Sequence, residues 1–270
     1  MNQMDFLKKE LAPVNNLAWE EILQRSEEIL KQNLSARKFV DFIGPLGWDY
    51  AAYPTGKLKK GDASKEVCYA TRLSLPLVEA YVPFELSLCE LDSIARGSKS
   101  PDLSSLEEAA RKIASFEDKA VFYGLDDACI EGIFAASKEF VQELPLQDPS
   151  ELLASLAQVR AHFTLHGIEG PYALVASPAL YTRIYSAGEG YPLYKKISDI
   201  LGDSRIILSS QINDGIVVSL RGGDFELVSG QDISIGYKEH NDTVVSLYLT
   251  ETFTFNVNTP EAAVPLKLVD

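Results

Sequence analysis

An α+β fold is predicted by three observations. Apolar residues recur at helical spacing in three long segments, short alternating strands dominate the last quarter, and helices and strands interleave with no internal repeat or low-complexity linker. At 270 residues, 46% hydrophobic and 24% charged, there is material for one large domain or two lobes sharing a core.

The first helix opens at Asn15 or Asn16 and carries Leu17, Trp19, Ile22, Leu23, Ser26, Ile29, Leu30 and Leu34 beside Glu20, Glu21, Glu27, Glu28 and Lys31. Arg37 to Ile43 reads as extended, and Gly44-Pro45-Leu46-Gly47 breaks it with a turn. From Trp48 to about Pro76 the pattern is a long two-stranded arm that turns through Lys59-Lys60-Gly61-Asp62. An isolated two-stranded hairpin is marginal in water, so this arm is expected to lean on another subunit.

Val82 to Leu91 alternates apolar with polar and predicts a strand. Ser104 and Glu107 stand at capping-box spacing and open a helix through Leu106, Ala109, Ala110, Ile113, Phe116 and Val121 to Gly124. A further helix starts near Ser150 after Pro149, carries Leu152, Leu153, Leu156, Val159 and Phe163, and stops at Gly167. Next come a strand Tyr172 to Ala176, a helix Pro178 to Ser186, a loop with two glycines and a proline through Pro192, and a helix Leu193 to Leu201. The remaining strands are Ile206 to Leu208, Gly215 to Leu220, Phe225 to Val228, Ile233 to Tyr237 and Val244 to Phe255, with Arg221-Gly222-Gly223-Asp224 as a hairpin turn.

A net charge of -14 and a pI near 4.7 argue against nucleic acid or an anionic membrane as partner, because a phosphate backbone is bound by clustered Lys and Arg. The same charge opposes packing many copies together unless acidic faces meet solvent or are countered locally. Apolar runs such as Gly215-Ile216-Val217-Val218 fall far below the roughly 18 residues of a spanning helix, and the first ten residues lack a secretory pattern. A cytoplasmic location is therefore expected. Cys68, Cys89 and Cys129 are odd in number and widely spaced, which reads as reduced, mostly buried thiols.

Two function classes compete, a structural protein and a stand-alone hydrolase or peptidase. Acyl transfer needs a nucleophile activated by a base, and the histidines are His162, His166 and His240, none beside a nucleophile elbow. No GxSxG, HExxH, Walker-type or dinucleotide motif occurs. His162 and His166 are four apart, a chelating spacing, but His166 next to Gly167 also suits an ordinary helix end, and no metal is assigned. Arg221-Gly222-Gly223-Asp224 lacks the lysine and following helix of a phosphate loop.

Several segments, in order, resemble the encapsulin shell family, formerly grouped with linocin-type bacteriocins. They begin with Phe6-Leu7-Lys8 with Ala12-Pro13, Arg37-Lys38-Phe39-Val40-Asp41, Gly44-Pro45-Leu46-Gly47-Trp48, Leu75-Pro76-Leu77 and Glu90-Leu91-Asp92. Asp102 to Glu108, Phe116-Glu117-Asp118, Gly167 to Tyr172 and Tyr191-Pro192-Leu193 follow. Arg221 to Phe225, Gly230 to Tyr237 and Thr250 to Phe255 complete the set, while Ala36 stands where family members often have glycine.

The resemblance implies the Hong Kong 97 phage-like capsid fold. It divides the chain into an N-terminal helix and arm (1–46), an extended loop (47–76), a peripheral domain (77–130 and 215–260) and an axial domain (131–214). It implies copies of this chain as partners, in a shell with no catalysis of its own, with the smallest icosahedral lattice, T=1, favoured by the short length. It also implies cargo enzymes such as ferritin-like proteins or dye-decolorizing peroxidases, and a role in iron storage or oxidative-stress defence.

In the family, cargo tails dock in an apolar groove on the inner wall; the matching positions are Leu30, Leu34, Arg37, Asp41, Ile233 and Ile235. Alternating apolar anchors would hold an extended peptide and the charges would fix its direction, although these residues could equally be plain core. Gly188, Glu189, Gly190 and Tyr191 match the five-fold pore loop. There Glu189 would form an acidic ring favouring cations, or be a solvent-exposed side chain on a loop. Some members bind flavin through a tryptophan, an arginine and a pore-loop tyrosine. Here Cys89 and Tyr81 replace the first two while Tyr191 remains, so no flavin is expected.

Overall fold

The computed structural model describes residues 6–61, 67–186, 192–202 and 204–269. Helix α1 (Asn16–Asn33) is capped by Asn15, whose Oδ1 accepts the Ala18 amide at 2.9 Å. It buries Ala18, Ile22, Ser26 and Ile29, spaced for one face. Leu17 and Leu23, expected in that stripe, are instead 56% and 43% exposed. Of the segment expected to be extended, Ala36–Lys38 is a 3₁₀ turn and only β1 (Asp41–Ile43) is strand.

The break that follows is backbone-driven. Gly44 has φ +145° and lies so close to Ser229 that a Cβ would sit 2.4 Å from its carbonyl oxygen, so a side chain is excluded. Leu46 and Gly47 then donate to the carbonyls of Ser229 and Gly230 at 3.0 and 2.8 Å.

Strands β2 (Ala52–Lys60) and β3 (Ala70–Pro76) form the expected arm, antiparallel from Ala52↔Pro76 to Lys60↔Ala70 with a register shift between Pro54 and Leu58. β4 (Val78–Ser87) ends earlier than its alternation suggests, and α2 (Leu88–Ala95) takes over. The Leu88 amide is claimed by the Thr243 carbonyl at 2.9 Å, and the helical turn sends Leu91 into the core.

Helix α3 (Ser104–Tyr123) is capped differently from its sequence signature. Asp102 Oδ1 accepts the Ser104 amide at 3.0 Å, while the Glu107 carboxylate pairs with Arg111 at 2.8 Å and Arg25 at 3.8 Å and does not reach back. Hydrogen bonds from the Ser104 side chain and amide hold the Asp102 carboxyl below its usual range.

A small hairpin of β5 (Gly124–Leu125) and β6 (Ile130–Glu131) follows, then α4 (Ile133–Ala136) and β7 (Gln142–Pro145). α5 (Pro149–Leu165) is capped by Asp148, which accepts the Ser150 amide at 2.7 Å. β8 (Tyr172–Ala176), α6 (Pro178–Ser186) and α7 (Leu193–Leu201) fall where the sequence places them. The chain continues through β9 (Arg205–Leu208), β10 (Gly215–Ser219), β11 (Phe225–His240), β12 (Val244–Val257) and β13 (Ala263–Val269).

Three expectations are corrected here. β11 is one strand of 16 residues, continuous through Gly230 where two were expected. Arg221 to Asp224 is a turn but not a hairpin, because β10 belongs to the sheet β7-β13-β10-β8-β9 and β11 to the sheet β1-β11-β12-β4. Its shape comes from an Arg221–Asp224 pair at 2.8 Å and from Gly223, whose amide donates to the Asp41 carboxylate at 2.6 Å. The three cysteines are free thiols as expected but exposed, not buried. Cys89 lies on the solvent side of α2, and Cys129 sits in a left-handed turn at φ +58° between β5 and β6.

Two compact units result. The first comprises Met1–Leu34, Gly44–Glu117 and Val228–Thr254. Its core packs Ile22 and Ile29 of α1 with Phe84 and Leu86 of β4, Leu106 and Ile113 of α3, and Val245 and Leu247 of β12. The second comprises Ser35–Ile43, Asp118–Leu227 and Phe255–Asp270. β8 and β10 are buried at every residue in its five-stranded sheet, antiparallel from Gly215↔Ala176 to Ser219↔Tyr172. Phe163 of α5 stacks on Tyr172 with ring centroids 4.7 Å apart and planes 8° from parallel.

Candidate functional site

The arm of the first unit exposes several apolar side chains. Among the described residues β2 and β3 pair only with each other, and Leu58, Tyr69 and Leu73 are 61%, 53% and 41% exposed. Val67 beside them is exposed as well. Covering a leucine stabilises by about 1.5–3 kcal/mol, so such an arm gains by being covered. Its charge is opposite to that of the whole chain. Between Ala52 and Pro76 stand Lys57, Lys59, Lys60, Lys65 and Arg72 against Asp62 and Glu66, five cations to two anions. The sequence reading missed this inversion, which a windowed charge count would have found.

The predicted groove residues fall into the two units. In the first, Leu30 of α1 and Ile233 of β11 are half-buried against the core that contains Ile235, while Leu34, at the end of α1, is buried. Leu34 and Ile235 thus have little surface left to offer, whereas Leu30 and Ile233 keep some. In the second unit the Arg37 guanidinium lies 4.7 Å from the centroid of the Phe42 ring, and Asp41 accepts the Gly223 amide. Each charge thus has a local partner within the second unit.

The pore-loop residues Gly188, Glu189, Gly190 and Tyr191 lie outside the described residues. At the positions compared with the flavin site, Tyr81 stacks on Tyr248 with centroids 4.7 Å apart, and Cys89 is exposed on α2.

Two of the histidines meet backbone carbonyls and the third a tyrosine hydroxyl. His162 Nε2 lies 3.2 Å from the Glu261 carbonyl, His166 Nδ1 lies 2.9 Å from the His162 carbonyl, and His240 meets the Tyr237 hydroxyl at 2.7 Å. Burial pushes the His162 imidazole below its ordinary value, the neighbouring His166 adds to this, and the Glu261 carbonyl opposes it. Among the described residues no group of three or more His, Cys, Asp or Glu is placed to hold a metal, and no helix is long and apolar enough to cross a membrane.

A protein-family profile described as "Encapsulating protein for peroxidase" matches residues 4–254. The chain is similar to a type 1 encapsulin shell protein of Rhodospirillum rubrum, at 40% identity over 98% of this chain and 97% of that one. In three dimensions it is similar to the virus-like particle protein of Pyrococcus furiosus, with TM-score 0.64 and 17% identity over 92% of this chain and 99% of the other. It is also similar to the capsid of Myoviridae phage XM1, with TM-score 0.57 and 12% identity over 88% and 92% of the two chains. The fold is that of the Hong Kong 97-like capsid proteins, as the sequence predicts.

Proposed function

This chain belongs to the encapsulin shell family and is a shell subunit, and we propose that its copies close into a T=1 icosahedral container around cargo enzymes in the cytoplasm. The observation that carries this reading is the arm: two strands with exposed Leu58 and Leu73, the exposed Tyr69 just before the second, and an excess of cations, on an otherwise acidic chain. A neighbouring copy supplies both what the leucines lack and what the lysines attract. This also answers the repulsion that a charge of -14 sets up between copies.

Cargo is held, in this reading, by an extended tail lying along the half-buried Leu30 and Ile233 of the first unit. The enclosed chemistry is iron storage or peroxide defence, and the wall itself contributes none. No flavin is bound, since Cys89 offers no ring to stack on and Tyr81 is engaged by Tyr248.

The test is sizing followed by electron microscopy of purified protein. Closed spheres eluting in the megadalton range support the reading; a monomer or small oligomer in every buffer sinks it. Flavin absorbance in the purified shells contradicts the cofactor statement alone.

A further inference from the structure

Three tyrosine rings meet where α6 ends and α7 begins. Tyr181 and Tyr185 stand one turn apart on α6 with ring centroids 4.5 Å from each other and planes 36° apart, and Tyr194 stacks on Tyr185 at 5.3 Å and 17°. The helix that carries the first two is held from its other side. Leu180 and Ile184 are buried, the Tyr181 amide donates to the Ser177 carbonyl at 2.8 Å, and Arg183 donates to the carbonyls of Leu146 and Gln147 at 2.7 and 2.6 Å. Tyr185 is 49% exposed, so a dissolved reagent reaches it. Its side chain is hydrogen-bonded to that of Tyr181, which brings the two hydroxyl ends together. Burial first, then Tyr181 and Tyr194, hold the Tyr185 phenol above its ordinary value, so at neutral pH it keeps its proton.

A neutral phenol meets a one-electron oxidant by giving up an electron together with its hydroxyl proton. The phenoxyl radical that remains carries part of its unpaired electron on the ring carbons beside the oxygen. Two such radicals couple through those ortho carbons when the rings are in contact with their hydroxyls on the same side. Tyr181 and Tyr185 meet both conditions, with rings at contact distance and joined hydroxyl ends. We propose that this pair is an oxidation site, which peroxide acting through a haem-type one-electron oxidant converts to a dityrosine. Each phenol loses one electron and one proton, and together these reduce one H2O2 to two waters while a single carbon–carbon bond forms between the rings. The ortho hydrogens then move to the oxygens as aromaticity returns, so the pair ends two hydrogens lighter. The reaction runs once per chain without turnover, which makes the wall a scavenger of stray oxidant and not an enzyme. Cargo that handles peroxide, in the reading above, is its source of oxidant, but the chemistry of the pair does not rest on that reading. All three rings belong to the second unit, so it does not depend on closure of the shell either. Tyr81 also stacks on Tyr248, at 4.7 Å, but the Tyr248 hydroxyl donates to the Phe6 carbonyl at 3.3 Å, and this pair serves as the control.

The experiment treats the purified full-length protein with hydrogen peroxide and a small haem peptide, then reads dityrosine fluorescence and the mass spectrum of a tryptic digest. Trypsin cuts after Arg183, so a link from Tyr181 to Tyr185 joins two peptides that otherwise separate. This joined species should be the main dityrosine of the folded parent, on a chain that still runs as a monomer in a denaturing gel. It should be lost in Tyr181→Phe and in Tyr185→Phe, which keep the ring and remove only the hydroxyl, and retained in Tyr194→Phe and Tyr81→Phe. Treatment in urea should abolish it in the parent, since the unfolded chain no longer holds the rings together. A joined species that survives either of the first two variants, an equal yield in urea, or no dityrosine in the folded parent overturns the proposal.

Discussion

The carboxylate of Asp118, fully buried, accepts the backbone N–H of Ser35 at 2.9 Å across 83 residues of sequence. The same carboxylate takes the Ala36 amide at 3.0 Å and the Ser35 hydroxyl, which in turn lies 2.8 Å from the Ser209 hydroxyl. Three donors on one buried anion hold the turn at Ser35 and Ala36 that leads toward β1. Asp118→Ala leaves two amides without a partner in a dry site and should cost about 3 kcal/mol in chemical denaturation. Ser209→Ala should cost well under half of that, and equal losses would show that the hydroxyl rather than the anion organises the site.

Arm variants should separate folding from assembly. Leu58→Asp with Leu73→Asp alters exposed side chains, so the subunit should keep its circular dichroism and melting profile while closed particles vanish from sizing and micrographs. Reversing Lys59 and Lys60 to Glu should weaken closure more at low ionic strength than at high, because screening removes the new repulsion. Particles that form normally from the double aspartate variant would remove the arm from the assembly mechanism.

Replacing Leu30 with Asp should leave shells intact and reduce co-purified cargo to a few per cent of the wild-type ratio, measured by gel densitometry on sized particles. Because Leu30 is half-buried against the core, a milder Leu30→Ala should reduce loading with little loss of stability. Cargo retained at the wild-type ratio in both would move the docking surface elsewhere.

His162 gives a pH dependence of definite sign. Its folded pKa lies below the ordinary 6.5, chiefly through burial, so the unfolded chain binds more protons as pH falls. The stability it contributes is complete above 6.5 and is lost as pH drops through the lower folded value. His162→Gln should flatten the fall in melting temperature just below pH 6.5, whereas His240→Gln should not. A wild-type slope in His162→Gln would assign that acid sensitivity to carboxylates.

What could be read in advance was whatever is decided locally. The Asn15 cap with its apolar face, the start of α5 beside Pro149 and the short apolar run of β8 are settled by neighbours in sequence, and they stand where expected to within a residue. The misread places are those settled from afar. Leu88 opens a helix even though its amide still meets the Thr243 carbonyl, one rung beyond Val244↔Ser87, and Asp102 rather than Ser104 caps α3. Arg221 to Asp224 looked like a hairpin because its residues suit a tight turn, yet whether flanking strands pair is a property of the sheets. Within the groove, Leu30 and Leu34 share a sequence signature, and only tertiary packing separates a half-buried anchor from a buried core residue. β13 escaped notice because Pro265 normally argues against an interior strand. It is tolerated since pairing with β7 begins one residue later, at Leu266↔Gln142, so no rung to that strand is lost.

The place of β13 between β7 and β10 sets a clock on the molecule's birth. While the ribosome is still translating the stretch before Ala263, β10 has β8 on one side and a bare edge on the other, and β7 has nothing to join. The nascent subunit must carry that open seam until its closing strand emerges, so polypeptides released early should be degraded or aggregate before they can contaminate a growing wall.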